Sequence, residues 1–187
     1  KVACAATEAE ALVAELGLPL FIKPTHEGSS VGAAKITTLA ELKAQLKERF
    51  KTYPEMLVEK HIVGEEFTVS ILQDQVLPSI LIRAAENFYD YEAKYLVDTT
   101  TYLCPGTSTV AEEASIQNLA FTAYKALGCC GWARVDLMRD EHGKLWLLEV
   151  NPSPGMTDHS LTPQAAKAVG LDFQALVWQV LETSVGE

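Results

Sequence analysis

Hydrophobic and polar residues alternate along two runs in the second half of the chain, residues 132–139 and 144–151. Alternation of this kind is typical of strands with one buried face. The polar break at His142 and Gly143 predicts the turn of a hairpin between the two runs. The apolar face of this hairpin would carry Val135, Leu137, Trp146, Leu148 and Val150.

The other face of the predicted hairpin collects charged and amide side chains. Counting back from a two-residue turn sets Asp136 opposite Glu149. The same count sets Arg134 opposite Asn151. Opposed acids repel each other, and carboxylate and amide oxygens suit a Mg²⁺ ion whose other positions are filled by phosphate. The pattern therefore indicates a magnesium site, and the alternative is a surface hairpin whose polar face is only hydrated.

The rest of the pattern predicts an α+β chain with two lobes, residues 1–63 and 64–187. In the first lobe, a capping box at Thr7 opens a helix that Gly17 ends. A strand at 20–24, a loop of small residues at 25–32 and a strand at 33–36 follow. Thr38 then caps a helix to about residue 50, and residues 56–60 form another strand.

The second lobe begins with a hairpin of strands at 67–72 and 76–82, followed by a long loop at 86–107. Thr109 opens a helix that Gly128 closes, and its buried stripe comprises Ile116, Leu119, Ala120, Ala123 and Leu127. After the central hairpin, a short helix runs from Thr162 to Gly170. Asp172 caps the last helix, whose buried face comprises Phe173, Leu176, Val177, Val180 and Leu181.

Composition excludes several classes of protein. The net charge of −10 argues against a general nucleic-acid binder, which needs clustered Lys and Arg. No run of about 18 apolar residues exists, so no membrane span is predicted. The four cysteines, Cys4, Cys104, Cys129 and Cys130, lack zinc-site spacing and read as reduced thiols. The chain starts with Lys1, so we expect the true N-terminus to lie elsewhere.

Other residues outside the hairpin could bind a nucleotide. Lys23 ends a strand just before a loop of Gly and Ser whose N–H groups could close over phosphates, although neither a Walker motif nor GxGxxG occurs. Glu59 and Glu66 flank the junction of the lobes and suit a ribose or an adenine amino group. Lys94 and Tyr95 could close over a ligand as part of a lid. The alternative for the loop after Lys23 is an ordinary glycine-rich turn. The alternative for Glu59 and Glu66 is a pair of solvated acids, and for Lys94 and Tyr95 it is an ordinary surface loop.

Taken together, these stretches resemble the ATP-grasp enzymes and, among them, the D-alanine–D-alanine ligase family. The resemblance rests on FIKPTHEGSSVG at 21–32, VEKHIVGEEFTVSIL at 58–72, NFYDYEAKY at 87–95, GWARVDLM at 131–138 and LLEVNPSPGMTDHSL at 147–161. It implies an ATP-grasp fold with two lobes and a nucleotide between them. It also implies an activity, in which ATP phosphorylates one D-alanine and the amine of a second attacks the acyl phosphate.

The resemblance assigns roles to individual residues. The nucleotide would be held by Lys23, Glu59, Lys60, His61, Ile62, Glu66 and Lys94. Two Mg²⁺ or Mn²⁺ ions would be held by Asp136, Glu149 and Asn151. Arg134 and the N–H of Gly155 would stabilise developing charge. Ser29 and Tyr95 would order the lid, and Ser160 and Leu161 would bind the carboxylate of the second substrate.

The family carries further sequence ahead of the position of Lys1, including an acid for the first D-alanine and another phosphate lysine. We therefore expect this chain to be inactive alone and to serve peptidoglycan precursor synthesis as part of a cytoplasmic, homodimeric enzyme. Its substrates would be ATP and D-alanine, with no nucleic acid and no membrane as partner. Two alternatives stay open: an ATP-grasp ligase of other amino acids, and a non-catalytic nucleotide-binding fragment.

Overall fold

The structure is a computed structural model that describes residues 1–28, 30–83, 100–157 and 159–185. The chain divides into two compact units, of which the first comprises Lys1–Ile62 and the second begins at Val63. The division falls one residue before the predicted end of the first lobe. In the described residues, no helix has the length and apolar character needed to cross a membrane.

The first unit is an antiparallel sheet covered by two helices. Its strands are β1 (Val2–Ala3), β2 (Leu20–Pro24), β3 (Ala34–Ile36) and β4 (Met56–Lys60), in the spatial order β1-β4-β2-β3. The helices are α1 (Ala9–Leu16) and α2 (Leu39–Arg49). Alternate residues of β2 and β4 face the helices, and the core comprises Ala3, Ala9, Leu12, Leu20, Ile22, Ile36, Leu42, Leu46, Met56 and Val58.

For the first unit, one prediction was wrong, one strand was missed and two predictions were confirmed. Thr7 does not cap α1, because the chain enters this helix through a 3-10 turn and the Glu8 carboxylate accepts from the N–H of Cys4. Strand β1 was missed, since two residues are too few to show alternation. Thr38 caps α2 by accepting from the N–H of Glu41 at 3.1 Å. Gly17 ends α1 with a φ of 75°.

The second unit is a larger antiparallel sheet with helices on both faces. Its strands are β5 (Gly64–Leu72), β6 (Gln75–Val76), β7 (Ile80–Arg83), β8 (Thr101–Leu103), β9 (Trp132–Asp140) and β10 (Leu145–Asn151). The spatial order in the described residues is β10-β9-β5-β7-β8, with β6 beside β5. The helices are α3 (Val110–Ala126), α4 (Leu161–Ala168) and α5 (Phe173–Glu182).

The two faces of this sheet differ in chemistry. Helix α3 packs on the apolar face, where the core comprises Phe67, Val69, Ile71, Leu81, Ile116, Ala120, Ala123, Tyr124, Ala133, Val135 and Leu137. On the opposite face, the buried hydroxyls of Ser70 on β5 and Thr162 on α4 lie 2.9 Å apart and hydrogen-bond to each other. Helix α4 therefore contacts the polar face of the sheet.

Several boundaries in the second unit differ from the prediction. The predicted strand 76–82 is interrupted after Val76, because Pro78 has no N–H for the ladder. Residues 101–103 form a strand rather than part of a loop. Thr109 and Asp172 cap their helices as predicted.

The buried faces of two helices were also predicted incorrectly in part. On α3, Tyr124 is buried and the flanking Leu127 is largely exposed. On α5, Leu176 is buried, whereas Phe173, Val177 and Leu181 are about half exposed. Helical periodicity predicts which side of a helix is apolar, but the elements packed against the helix determine how much of that side is buried.

The turn between β9 and β10 is one residue longer than predicted. The N–H of Gly143 donates to the Asp140 carbonyl at 2.9 Å, and Gly143 has a φ of 79°, so the loop comprises residues 141–143. Leu145 consequently pairs with Arg139. A bulge at Leu148 then adds one residue to β10 and restores the predicted pairing of Glu149 with Asp136.

Trp146 was assigned to the wrong face because of this longer turn. It pairs with Met138, and its indole N–H donates to Asp140 at 2.8 Å. Leu145 packs against the core in its place. The Asp140 carboxylate also accepts from the N–H groups of His142 and Lys144, each at 2.9 Å. These hydrogen bonds to the charged form lower the pKa of Asp140 from its ordinary 3.8, with the Trp146 bond as the largest cause.

We predict that Asp140→Asn destabilises the second unit at neutral pH. Because the pKa of Asp140 is lower in the folded state, its stabilising contribution is present above about pH 4 and is lost as the pH falls through the folded-state value. The difference between variant and parent in free energy of unfolding should therefore shrink in acid. Urea unfolding followed by tryptophan fluorescence measures it, since Trp132, Trp146 and Trp178 all lie in this unit.

Glu141→Gln is the matched control, because Glu141 is the neighbouring acid on the same turn and is exposed. It should leave the stability almost unchanged at every pH. An Asp140→Asn variant with the same pH profile as the parent would contradict the role given to this carboxylate.

Candidate active site

The polar face of the second unit brings together side chains from three adjacent strands. Asp136 on β9 pairs with Glu149 on β10 and with Thr68 on β5. Arg134 pairs in the same way with Asn151 on β10. Directly paired residues of adjacent strands lie on the same side of a sheet. The register therefore places all of these side chains on one face, as the alternation predicted for the hairpin.

Asp136 is the centre of this group. The residue is 8% exposed, and its carboxylate accepts four hydrogen bonds from the described residues. Arg134 donates two of them, from Nε at 2.9 Å and from Nη2 at 2.8 Å. Thr68 donates at 2.6 Å, and the amide nitrogen of Asn151 donates at 3.0 Å. A buried carboxylate is stable as an anion when charge-assisted bonds of this kind replace its hydration.

The donor set of the hairpin fits a divalent cation held jointly with phosphate. The amide nitrogen of Asn151 donates to Asp136 at 3.0 Å and to Glu149 at 3.4 Å, so the two carboxylates face one common point. A half-turn of that amide would present its oxygen to the same point. Within the described residues, no group of three His, Cys, Asp or Glu side chains is placed to hold a metal. Two carboxylates with an amide match the sparse protein ligation of Mg²⁺ in phosphate sites.

Two residues on this face were missed by the reading of the sequence. Thr68 and Ser70 are both buried, and they alternate along β5 with the core residues Phe67, Val69 and Ile71. That alternation marks a polar face, but it does not show which strand lies beside β5. Glu66 was predicted at the site for a different reason, and its pairing with Met138 puts it on the same face.

Gly155, Ser160 and Leu161 lie where the chain enters α4. A Cβ added at Gly155 would sit 2.9 Å from Oγ of Ser160, so the two residues are in direct contact. Ser160 occupies the N-cap position of α4 without capping it by its side chain. The reason is Pro163, the third residue of the helix, which has no N–H to donate. The Ser160 hydroxyl instead accepts from the N–H of Thr157 and bonds its hydroxyl, each at 2.9 Å.

The first unit contains its own group of predicted nucleotide residues. Nζ of Lys23 on β2 lies 3.2 Å from Oε2 of Glu59 on β4, and both side chains are mostly buried. Lys60 follows at the end of β4. The N–H of His61 donates to the Pro19 carbonyl at 3.1 Å, so this amide is already engaged within the unit. Burial, with a smaller effect of the nearby Lys35, lowers the pKa of His61 below 6.5.

The small-residue loop between β2 and β3 is anchored at its far end. The guanidinium of Arg49, the last residue of α2, donates to the carbonyl of Gly32. Gly32 has a φ of 70°, and a Cβ there would meet the Pro24 ring at 3.0 Å. Glycine is therefore needed at this position. Ile62 ends the unit, while Ser29, Lys94 and Tyr95 lie outside the described residues.

Comparison with known proteins identifies relatives of the chain. The family model described as the D-ala D-ala ligase C-terminus matches residues 3–182. A D-alanine–D-alanine ligase of Alkalilimnicola ehrlichii is 50% identical over 175 residues, which cover 94% of this chain and 56% of that protein.

Solved structures of similar enzymes superpose on the chain. A D-alanine–D-alanine ligase of Bacillus anthracis has a TM-score of 0.81 at 38% identity, over 94% of this chain and 57% of that chain. Its complex with ATP gives 0.78 at 33% identity, over 92% and 54%. The VanG D-Ala:D-Ser ligase of Enterococcus faecalis gives 0.80 at 34% identity, over 95% and 52%. The chain thus spans a little over half the length of these relatives.

The family model covers nearly the whole chain, and each of these relatives extends well beyond it. The mixture of helices and antiparallel sheets also agrees with the fold of the superposed ligases. The chain belongs to the D-alanine–D-alanine ligase family, has the ATP-grasp fold, and corresponds to the C-terminal part of its members.

Proposed function

We propose that this chain is the C-terminal catalytic part of an ATP-dependent ligase that joins two D-alanines for peptidoglycan precursor synthesis. We refer to this longer ligase, of which the chain would be the C-terminal part, as the full-length protein. The observation that carries the proposal is the convergence of Arg134, Asp136, Glu149 and Asn151 on one face in a member of this family. A protein that only bound a nucleotide would have no need of a guanidinium beside the cation ligands.

Asp136, Glu149 and Asn151 would hold Mg²⁺ or Mn²⁺, two ions by the family resemblance. An ion held by these residues would supply positive charge that offsets the negative charge developing on the transferred phosphoryl group. The protein's part is to hold oxygen ligands from β9 and β10 at a common point. The bidentate bond from Arg134 and the bond from Thr68 hold the Asp136 carboxylate in place.

Arg134 would stabilise negative charge on the reacting carboxyl group. Its side chain is mostly buried and is held by two bonds to Asp136, so it needs little rearrangement to meet a developing oxyanion. The N–H of Gly155 would supply a second, neutral donor. In the ligation step the amine nitrogen bonds to the acyl carbon, and the tetrahedral intermediate then expels phosphate.

Ser160 and Leu161 would bind the carboxylate of the second D-alanine. The N-terminus of α4 presents backbone N–H groups and the positive end of the helix dipole. Pro163 leaves the Ser160 hydroxyl out of the capping interaction, and Thr157 orients it instead. A hydroxyl held in this way can donate to a carboxylate beside Gly155.

The nucleotide would be ATP. Lys23 and Lys94 would bind phosphate oxygens, while Glu59 and Glu66 would bind the nucleoside. The backbone from Lys60 through Ile62 would contact adenine, and Ser29 and Tyr95 would order the lid. The ATP complex of the Bacillus anthracis ligase supports the choice of nucleotide. We further propose a cytoplasmic homodimer, for which sedimentation of the full-length protein is the test.

A second candidate differs only in the second substrate. The VanG ligase, named for D-Ala and D-Ser, superposes on this chain about as well as the D-alanine–D-alanine ligase of Bacillus anthracis does. The Tyr95 context, EAKY, resembles the dipeptide-forming members more than those that accept D-lactate, so it argues against D-lactate as second substrate, and the choice between D-alanine and D-serine is made by experiment.

The direct test supplies the full-length protein with ATP, Mg²⁺ and an equal mixture of D-alanine, D-serine and D-lactate. We expect D-alanyl-D-alanine as the main product, together with one ADP and one phosphate per bond. Chromatography and mass measurement identify the product. A main product that contains D-serine would favour the second candidate, and no ADP release with any of these substrates would contradict the proposed function.

Glu149→Gln should lower the turnover of the full-length protein by about two orders of magnitude, because it removes the charge of one cation ligand. Glu149 is exposed, so folding should be nearly unchanged. Asp136→Asn should lower turnover at least as much but also reduce stability, because it removes the anionic partner of the mostly buried Arg134 side chain.

The measurements for these variants are Mg²⁺-dependent phosphate release from D-alanine and ATP, and urea unfolding of each variant. Glu182→Gln on α5 is the control for loss of an exposed acid elsewhere in the second unit. Turnover equal to that of the parent in both site variants would refute the metal assignment.

Ser160→Ala should raise the KM for the second D-alanine about tenfold or more, since a hydrogen bond to a charged group is worth about 1.5–3 kcal/mol. A bond made equally to substrate and transition state should change kcat much less. Ser153→Ala, an exposed serine in the preceding loop, is the control and should leave both constants unchanged. Initial rates over a range of D-alanine concentrations separate the two constants, and an unchanged KM for Ser160→Ala would exclude this contact.

A further inference from the structure

Thr68 is a buried polar residue whose hydroxyl is directed at the candidate cation site. It is 1% exposed and lies directly opposite Asp136 in the pairing of β5 with β9. Its Oγ1 lies 2.6 Å from Oδ1 of Asp136. The only other acceptor in reach among the described residues is the Val135 carbonyl at 3.4 Å. A hydroxyl has one proton, and the shorter contact is where it is donated.

The bond from Thr68 fixes which oxygen of Asp136 faces the other ligands. Oδ1 accepts from Thr68 on β5 and from Nε of Arg134 on β9. Oδ2 accepts from Nη2 of Arg134 and from the Asn151 amide, and through that amide it faces Glu149. Two donors on one oxygen hold the carboxylate plane, so the other oxygen keeps a constant direction.

We infer that Thr68 is a positioning residue, which holds Asp136 in the orientation needed to bind a divalent cation. The inference rests on the proposed function, because it takes Asp136 as a cation ligand. Groups that hydrogen-bond to metal ligands from behind raise metal affinity by fixing the ligand's direction and charge. Thr68 acts through Asp136 and has no contact with substrate in this scheme.

A comparison with Ser70 distinguishes positioning of Asp136 by Thr68 from a general contribution of a buried hydroxyl to stability. It lies two residues along β5, is equally buried and points to the same face. Its hydroxyl bonds Thr162 on α4 rather than Asp136. Removing either hydroxyl takes one buried hydrogen bond from the second unit, but only the loss from Thr68 reaches the cation ligand.

The test compares Mn²⁺ binding to four variants of the full-length protein in the presence of a non-hydrolysable ATP analogue. Free Mn²⁺ is measured by electron paramagnetic resonance. Thr68→Val keeps the shape of the side chain without its hydroxyl and should weaken Mn²⁺ binding about tenfold. Thr68→Ser keeps the hydroxyl and should bind as the parent does. Ser70→Ala should also leave Mn²⁺ affinity unchanged, although urea unfolding should show a loss of stability.

Asp136→Asn is the fourth variant and distinguishes failure of the inference about Thr68 from failure of the metal assignment. If it weakens Mn²⁺ binding while Thr68→Val does not, the inference about Thr68 is wrong and the metal assignment stands. If Asp136→Asn itself binds Mn²⁺ like the parent, the metal assignment in the proposed function is wrong. Should Thr68→Val not fold, Thr68→Ala against Thr68→Ser provides the same comparison. Equal weakening by Ser70→Ala and Thr68→Val would show a purely structural effect and overturn the inference.

Discussion

The extra residue at Leu148 decides which side chains share a face of the central hairpin. The three-residue turn sets a register in which Leu147 pairs with Leu137. Continued without interruption, that register would pair Glu149 with Val135 and turn its carboxylate toward the core. The bulge shifts the remainder of β10 by one residue and brings Glu149 opposite Asp136. The convergence of acids therefore depends on a local irregularity of the strand.

Asp136 shows that stability and site geometry depend on the same bonds. A buried carboxylate would be costly without partners, and the donors to this one come from all three strands that meet at this face. Those strands can offer donors at one point only if β9 lies between β5 and β10, as it does. Under the proposed function, changes to Asp136 would thus affect folding and chemistry together, whereas changes to the exposed Glu149 would affect chemistry more selectively.

The sequence predicted local features well and long-range ones poorly, for physical reasons. Alternation and caps depend on neighbours within a few residues, and so the hairpin strands and the caps at Thr38, Thr109 and Asp172 were predicted correctly. The pairing of Asp136 with Glu149 was predicted from a turn one residue too short, and the bulge cancelled the error. Trp146 lies between the turn and the bulge, where the one-residue error in register was not cancelled, and so its face was predicted incorrectly. Thr68 could not be assigned, because its partner depends on strand order.

Two of the proposed binding cations are each paired with an acid of their own unit, Lys23 with Glu59 and Arg134 with Asp136. Each unit can therefore bury these charges without a ligand. In the proposed function, a phosphate of the nucleotide would take the place of Glu59 beside Lys23, whereas Arg134 would keep its two bonds to Asp136. The net gain from such an exchange is smaller than the full attraction of an unpaired charge. Affinity for a nucleotide should consequently depend more on the bonds that replace this pair than on the overall charge of −10.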